Sequence, residues 1–372
     1  MRETPQIYWI IYTKMNTFLI IMKTQMKENV KMSSTWGQSA WSKSYKMKIH
    51  LFWPSETTRS AFYSMFVKNS PINVFSQWLV GIVDGDGTFY FGKTKKNTWT
   101  FCFKVGQSPY NLRVLYFMKK MLGVGNVTVP SKVSSCAEYR IRDMQHLKEK
   151  ILPIFDKYPL LTSKQFQYEM FRKSLLVYTD TTINKDQKEK LLIYYKSQKV
   201  PMNYKSIVWK DVNEEFITVE QVQSILSKEW VVGFTEAEGS FYLVKKGPSR
   251  ISHCFEITQK KDKIVLKAIS LLLDMKVIEK HMYFSCITTN QASVHKVIDY
   301  FFKTMKGMKS LEYRIWSRSF HKNNSFEELM KIQSMMNKIR NNFKNKSKLR
   351  WMSIKIVFKK VDINKICVLV CI

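Results

Sequence analysis

Two short acidic segments of the chain have the composition of a divalent-cation site. Asp84 and Asp86 stand in Asp-Gly-Asp-Gly, and Glu236 and Glu238 stand in Glu-Ala-Glu-Gly, each after a run of apolar residues. Mg²⁺ is usually held by one or two carboxylates and keeps positions for water and phosphate oxygens. Such a metal activates water and stabilises the leaving oxygen in phosphodiester hydrolysis. A single Asp-x-Asp-Gly is more often an ordinary turn, so its recurrence is what favours chemistry.

The two acidic segments belong to a tandem duplication. Residues 79–107 and 231–259 align without a gap at an offset of 152 residues, and nine of the 29 positions are identical. Average composition would give roughly two identities. The identical positions include Gln107, which aligns with Gln259. The sequence therefore predicts two similar subdomains related by a pseudo-two-fold axis.

Each copy predicts a helix followed by strands. The apolar run before each acidic pair predicts the helix, with Ser76 and Ser227 as N-caps and Gly87 and Gly239 at the C-terminal stop. Period-2 alternation then predicts strands with aromatic residues on one face, so an α+β fold is expected, with helices on one face of each sheet. Further strands are predicted near residues 125–129, 138–142 and 282–288.

Small residues at a spacing of four predict contact between the two acidic helices. Gly81 and Gly85 lie four residues apart in the first copy, as do Gly233 and Ala237 in the second. Residues at i and i+4 share one helix face, and a face without bulky side chains lets two backbones approach closely. We expect these residues to form the interface between the halves.

Contact between these helices would bring Asp86 and Glu238 together. A carboxylate at a helix C-terminus faces the negative end of the helix dipole. Two such carboxylates also repel each other unless a cation intervenes. We therefore interpret the pair as ligands of Mg²⁺ or a similar divalent cation.

The acidic segments resemble the paired motifs of LAGLIDADG homing endonucleases, a family encoded mostly in organellar introns. Residues 79–87 match the nine-residue motif well, and residues 231–239 match it with Thr235 at a usually apolar position and Glu for Asp twice. The resemblance covers about residues 74–345. It implies tandem αββαββα subdomains, with the motif helices at the centre of a saddle-shaped antiparallel sheet that straddles DNA.

The resemblance also implies roles for the acids. The last acid of each motif would bind the metal, assisted by the carbonyl of the residue before it, so Asp86 pairs with Gly85 and Glu238 with Ala237. The first acid of each motif would be structural and would cap nearby backbone groups.

Two further pairs match the family's active site by position. Gln107 and Gln259 each follow the second acid by 21 residues and would position water or metal ligands. Lys164 resembles the family's basic residue near the scissile phosphate, where a cation stabilises developing charge. Lys309 is the expected counterpart, with Lys306 as the alternative. Taken alone, each glutamine could equally be a polar residue at a strand end, and a lysine in so Lys-rich a chain is by default a solvated surface residue.

The polar face of the sheets is expected to contact DNA. A twisted β-ribbon fits the major groove and reads base edges, and other basic residues fix register through phosphates. The candidate contacts are Tyr90, Thr94, Lys96, Thr98, Thr100, Lys104, Arg140, Arg142, Tyr242, Lys246, Arg250 and Ser252.

The composition agrees with a polyanionic partner. The 372 residues carry 61 Lys and Arg against 29 Asp and Glu, a net charge of +32. Such an excess attracts polyanions, with nucleic acid the first candidate and an anionic membrane surface the second. A hydrophobic content of 45% excludes a wholly disordered basic chain. Six cysteines without a Cys-x-x-Cys pair argue against a disulfide scaffold or zinc knuckle, and no apolar run reaches the roughly 18 residues of a spanning helix.

The sequence divides into five predicted segments. These are an N-terminal extension (1–70), a first subdomain (71–179), a polar linker with some helix (180–217), a second subdomain (218–345) and a basic, then apolar tail (346–372). The extension carries many basic residues, which agrees with an import sequence or an upstream extension of the reading frame. We expect a mitochondrial location, with the chloroplast as the alternative.

The favoured interpretation is an intron-encoded, site-specific, Mg²⁺-dependent double-strand DNA homing endonuclease. It would act as a monomer because the duplication replaces a homodimer, and its unequal halves would recognise a non-palindromic target. The alternative is an intron maturase that binds its own intron RNA and assists splicing. A catalytically inactive DNA-binding regulator is the third possibility. The presence of acids at the C-terminal end of each of the two motif helices favours cleavage over the two alternatives.

Overall fold

The computed structural model describes residues 71–129, 136–322 and 324–346. The predicted extension and nearly all of the predicted tail therefore lie outside the described residues. Within the described ranges, no helix is both long and apolar enough to span a membrane.

Helices and strands follow the order that the duplication predicts. The helices are α1 (Pro71–Asp86), α2 (Leu112–Leu122), α3 (Met144–His146), α4 (Leu152–Lys157), α5 (Lys164–Thr179), α6 (Lys185–Ser197), α7 (Val219–Ile225), α8 (Lys228–Glu238), α9 (Lys263–Leu273), α10 (Gln291–Phe301), α11 (Lys309–Phe320) and α12 (Phe326–Lys346). The strands are β1 (Gly87–Lys93), β2 (Trp99–Gln107), β3 (Asn126–Thr128), β4 (Ala137–Ile141), β5 (Gly239–Lys245), β6 (Ile251–Gln259), β7 (Lys276–Lys280) and β8 (Tyr283–Thr288). A π turn (Leu147–Ile151) joins α3 to α4, and 3₁₀ turns lie at Pro109–Asn111 and Ile207–Trp209.

Each half contains one four-stranded antiparallel sheet. The strand orders are β1-β2-β4-β3 and β5-β6-β8-β7, so the two sheets have the same topology. The α+β class and the αββαββα order of each half are confirmed. Strand β7 was not predicted, because it is a short edge strand with lysines at both ends, and charged edges lack clean alternation.

The period-2 alternation of the strands separates a buried face from an open face. Phe89 pairs with Phe103, which pairs with Ile141, and all three are buried. Lys104 pairs with Arg140 one position along, and both are partly exposed. The aromatic face therefore packs on the helices, as predicted, and the polar face stays open.

Aromatic packing holds the helices against each sheet. The Phe89 ring lies 5.1 Å from the rings of Phe155 and Tyr168, which belong to α4 and α5. In the second half, the Phe241 ring lies 5.9 Å from Phe301 and 5.2 Å from Trp316. Full burial of one such side chain contributes about 1.5–3 kcal/mol. These clusters hold α5 and α11 against the sheets.

The two halves meet where α1 packs against α8, and we call this interface the seam. A side chain at Gly81 would collide with the backbone carbonyl of Trp230, and one at Gly233 would collide with that of Trp78. The two contacts exchange under the 152-residue offset, so they are reciprocal, as in an interface related by a two-fold axis. Only glycine permits this backbone approach.

One predicted helix start is wrong. Ser76 does not cap α1, because the helix already runs from Pro71 and the Ser76 hydroxyl donates to the Ile72 carbonyl at 2.7 Å. A serine inside a helix can bond to the carbonyl one turn earlier, so its type does not mark an N-terminus. Ser227 does cap α8, accepting from the Trp230 backbone N–H at 3.2 Å.

The segment between the halves has a buried anchor as well as a helix, α6. Trp209 is fully buried, and its indole N–H donates to the Leu161 carbonyl at 2.8 Å. The Ser206 hydroxyl donates to the neighbouring Leu160 carbonyl. This polar segment therefore packs against the loop that leads into Lys164.

We expect Gly233→Ala to lower the free energy of unfolding by about 1–3 kcal/mol, because its methyl group overpacks a backbone-to-backbone contact. Helix propensity alone would favour alanine by about 1 kcal/mol. Urea unfolding followed by circular dichroism measures the change. Gly247→Ala is the matched control, since no atom lies within 4 Å of the added methyl position. If the two variants were equally stable, the close backbone contact between α1 and α8 at Gly233 would be contradicted.

Candidate active site

Helices α1 and α8 end side by side, and their last residues are Asp86 and Glu238. A side chain at Gly85 would collide with the Ala237 methyl group, and its Cβ would lie 3.1 Å from the Glu238 Cγ. Both acids are partly exposed. The structure thus brings the two predicted metal-binding acids together at the seam without closing them off from solvent.

The surroundings make two negative charges costly at this point. Desolvation raises the pKa of the Asp86 carboxyl, and the ammonium groups of Lys164 and Lys309 oppose that rise. Desolvation also raises the pKa of Glu238, and the nearby Asp86 charge raises it further. A cation between the carboxylates would relieve both effects.

The two predicted glutamines each contact the acid of their own half. The Gln107 amide N–H donates to the Asp86 carboxylate. Gln259 forms a side-chain hydrogen bond to Glu238 that lowers the pKa of that carboxyl. The Gln107 carbonyl in turn accepts from the Asn111 amide at 2.8 Å. Each carboxylate is thereby oriented from the sheet side.

Lys164 approaches the acids from the first residue of α5. Its ammonium donates to the Val83 carbonyl at 3.1 Å and to the Gly85 carbonyl. A cation at the C-terminus of α1 complements the negative end of the helix dipole. The Gly85 carbonyl, predicted to assist metal binding, already accepts from this lysine and keeps one lone pair.

Lys309 occupies the matching position as the first residue of α11. Desolvation raises the pKa of both Asp86 and Glu238, and the charge of Lys309 opposes that rise, while burial lowers the pKa of its own ammonium. Lys306, the alternative, uses its backbone N–H to bond Glu236. The charge of Lys309 acts on Asp86 and Glu238 together with that of Lys164, whereas the charge of Lys306 acts on the buried Glu236.

Asp84 is a buried structural acid. Its carboxylate accepts from the backbone N–H groups of Leu161 at 2.9 Å and Thr162 at 3.0 Å, and from the Trp230 indole at 2.8 Å. Burial nevertheless raises its pKa to about 6. The capping role predicted for this acid is confirmed, and the Trp230 bond shows that it also ties the halves together.

Glu236 has the same role in the second half. It is buried, and its carboxylate accepts from the backbone N–H groups of Gly307, at 2.9 Å, and Lys306. Desolvation raises its pKa. The first acid of each motif therefore holds the loop that precedes the lysine-bearing helix, and the second acid is left for the open site.

The predicted DNA contacts lie on the open faces or at the hairpin tips. In the first half, the open face carries Tyr90, Thr100, Lys104 and Arg140, and Arg142 follows β4 in an exposed position. Thr94, Lys96 and Thr98 are exposed in the β1–β2 turn. In the second half, Tyr242 and Ser252 lie on the open face, and Lys246 and Arg250 are exposed in the β5–β6 turn.

The candidate DNA contacts predicted from the sequence left out two acids on these faces. Glu138 lies 3.7 Å from the Lys104 ammonium and also pairs with Arg140. Glu256 accepts from the Tyr242 hydroxyl at 2.7 Å. Glu256 also aligns with Lys104 at the 152-residue offset, so the charge at one position is reversed between the halves. The duplication itself was the signal that could have revealed this.

Within the described residues, no group of three or more His, Cys, Asp or Glu side chains is arranged to hold a metal. The site offers two carboxylates with amide and carbonyl oxygens beside them. This set suits a hard cation that keeps water and phosphate ligands, as Mg²⁺ does. It does not suit a structural zinc site, whose four Cys and His ligands form a closed tetrahedron.

The model of the LAGLIDADG endonuclease family matches residues 79–175 and 231–320. A Schizosaccharomyces pombe relative named probable intron-encoded endonuclease Cox1-I1b is 38% identical over 294 residues, which cover 75% of this chain and 73% of the relative. The chain belongs to the LAGLIDADG endonuclease family. Both matched regions of the family model begin at the start of an acidic motif.

Two further similarities are informative. The mitochondrial protein RF1 of Saccharomyces cerevisiae is 29% identical over 203 residues, 54% of this chain and 39% of that protein. The structure of the I-LtrWI LAGLIDADG homing endonuclease bound to target DNA matches with a TM-score of 0.58 and 20% identity, covering 72% of this chain and 98% of that one. At this identity the structural likeness shows the fold.

The two classes of acid should differ in stability. We expect Asp84→Ala and Glu236→Ala to lower the free energy of unfolding by at least about 2 kcal/mol, because each leaves buried N–H donors unpaired at about 1–3 kcal/mol per group. Asp86→Ala and Glu238→Ala should stay within about 1 kcal/mol of wild type, because each removes one of two repelling charges. Thermal unfolding in EDTA measures all four, and comparable losses would contradict the assignment.

Proposed function

We propose that this member of the LAGLIDADG endonuclease family is an intron-encoded enzyme that cuts both strands of a specific DNA target in a Mg²⁺-dependent reaction. The observation that supports it most is the meeting of Asp86 and Glu238 at the seam, each with a glutamine of its own half and with a lysine nearby. Neither a structural seam nor a DNA-binding surface needs this combination.

The two carboxylates would hold the divalent cation. Gln107 and Gln259 would keep the carboxylates of Asp86 and Glu238 in place through the contacts described above. When bound, the cation activates water and stabilises the leaving oxygen of the phosphodiester. The remaining coordination positions would be filled by water and phosphate oxygens.

Lys164 and Lys309 would act on the phosphates. Each is held at the start of a helix beside the acids, in a partly desolvated environment that strengthens its interaction with negative charge. Under the pseudo-two-fold relation of α1 and α8, one lysine would lie on each side of the seam. We infer that each lysine stabilises the charge that develops on one DNA strand.

The open sheet faces would bind the DNA on either side of the site. The net charge of +32 supplies the attraction to phosphates, and the strands would read base edges in the major groove. Because Lys104 is replaced by Glu256 at the corresponding position, the two half-sites differ. A monomer with unequal halves fits a non-palindromic target.

We also propose the segment boundaries given above, with residues 71–179 and 218–345 as the two subdomains and 180–217 between them. A mitochondrial location is proposed because an organellar intron origin is typical of this family and one of the relatives is named as mitochondrial. The basic residues of segment 1–70 agree with an import role.

A cleavage assay tests the proposed function. The substrate is a DNA duplex in which the two exons that flank the intron carrying this coding sequence are joined. The control duplex keeps that intron between the exons. We expect double-strand cleavage of the joined duplex only, in Mg²⁺ and not in EDTA. Absence of cleavage, together with tight binding to the intron RNA, would instead identify a maturase.

We expect Asp86→Asn and Glu238→Gln to slow cleavage at least about a hundredfold, since even residues that only support metal ligands cost 10–100-fold when mutated. Binding of the duplex in EDTA, measured by gel shift, should be unchanged or tighter because a negative charge near the phosphates is removed. Glu215→Gln, which neutralises an exposed acid between the halves, is the control. Cleavage at the wild-type rate by both active-site variants would refute the metal assignment.

A further inference from the structure

Two residues with typical N-cap side chains do not cap their own helices. Asn111 stands at the N-cap of α2, and Asp262 stands at the N-cap of α9. Asn and Asp are among the preferred N-cap residues because a side-chain oxygen accepts from a backbone N–H two or three residues later. Neither residue makes such a bond to its own helix. Their side chains are used elsewhere.

Both side chains reach across the seam to the other half. The Asn111 carbonyl oxygen accepts from the backbone N–H of Met308 at 2.8 Å. Asp262 accepts from the backbone N–H of Ser163 at 2.8 Å and from its hydroxyl at 3.0 Å. Each half therefore gives one hydrogen-bond acceptor to a backbone group of the opposite half.

The residues held in this way directly precede the two active-site lysines. Ser163 is the N-cap of α5, which begins with Lys164, and Met308 is the N-cap of α11, which begins with Lys309. Neither N-cap residue caps its helix with its own side chain. The two contacts are thus equivalent, although one uses a carboxylate and the other an amide.

The backbone around Asp262 is shaped for this contact. Asp262 has φ of +62°, in the left-handed region that Asp tolerates better than most residues. Asn111 is buried, and its amide group also donates to Gln107, which bonds Asp86. One continuous hydrogen-bond chain therefore joins Asp86 of the first half to the residue before Lys309 of the second.

The geometry points to Asn111 and Asp262 as positioning residues that act across the seam, Asn111 placing Lys309 and Asp262 placing Lys164. Each lysine is thereby held from the opposite half as well as by the buried acid of its own half. The lysine of each half thereby keeps its position relative to the acids of both halves. This inference rests on the proposed function, because it assigns the two caps to the cleavage of different strands.

Strand-specific cleavage tests the proposal. The joined-exon duplex carries a different fluorophore on each strand, and the nicking rate of each strand is measured under single-turnover conditions. We expect Asp262→Ala to slow by roughly ten- to a hundredfold the same strand that Lys164→Ala slows, since small misplacements of this kind cost about that much. Asn111→Ala should slow the strand that Lys309→Ala slows.

Amide hydrogen exchange gives a readout that needs neither DNA nor metal. In the free protein, Asp262→Ala should raise exchange in peptides covering residues 160–168 and not in those covering 305–312. Asn111→Ala should do the reverse. Asp262→Asn keeps an acceptor oxygen for Ser163 and should restore both the exchange pattern and the strand balance.

Asn184→Ala is the matched control, because it removes a 2.8 Å N-cap bond from α6, which carries neither lysine. It should leave the two nicking rates equal to those of wild type. Equal slowing of both strands by Asp262→Ala and Asn111→Ala, or unchanged exchange at 160–168 and 305–312, would overturn the positioning role. If the wild-type protein cuts neither strand, the proposed function fails, and the exchange pattern still decides whether the caps act across the seam.

Discussion

The rest of the site depends on the contact between the backbones of α1 and α8. Gly81 and Gly233 each face a carbonyl of the opposite helix, and Gly85 faces Ala237 one turn later. Interhelical distances are normally 8–10 Å and are set by the side chains at the contact, so the absence of side chains here allows an unusually close approach. Because both helices end just beyond this contact, their last residues must lie together. The position of the two proposed metal-binding acids is a consequence of helix packing.

This packing brings negative charges together, and the structure stabilises two pairs of acids in different ways. Four acids lie at the negative ends of two helix dipoles, where carboxylates are disfavoured. Asp84 and Glu236 are compensated by backbone N–H groups and remain buried. Asp86 and Glu238 receive one amide each and remain partly exposed, so lysines, and a divalent cation when bound, must balance their charge. The two acids of each motif are only two residues apart. They differ in the hydrogen-bond donors that each carboxylate can reach.

A feature of the fold or the site could be predicted from the sequence where its pattern lies within one repeat or recurs in both repeats. The C-terminal ends of α1 and α8, the buried strand faces and the pairing of Asp86 with Glu238 follow from periodicity and duplication, so the sequence was sufficient to predict them. The caps at Asn111 and Asp262 were not visible, because a 3₁₀ turn before α2 shifts Asn111 by one residue from the gapless alignment. The side-chain contacts of these two residues with the opposite half leave no local pattern, since Asn111 and Met308 are 197 residues apart.

The halves are alike at the seam and unlike at the sheet faces. Even the seam is not fully symmetric: the Trp230 indole donates to Asp84, whereas the buried Trp78 indole has no hydrogen-bond partner among the described residues. Glu236 is one methylene longer than Asp84, although it bonds the loop before α11 as Asp84 bonds the loop before α5. Such differences are tolerated because backbone contacts hold the helices together. The sheet faces are free to diverge without moving the acids, so a chain that fuses two halves can alter one half-site while its cleavage centre stays intact.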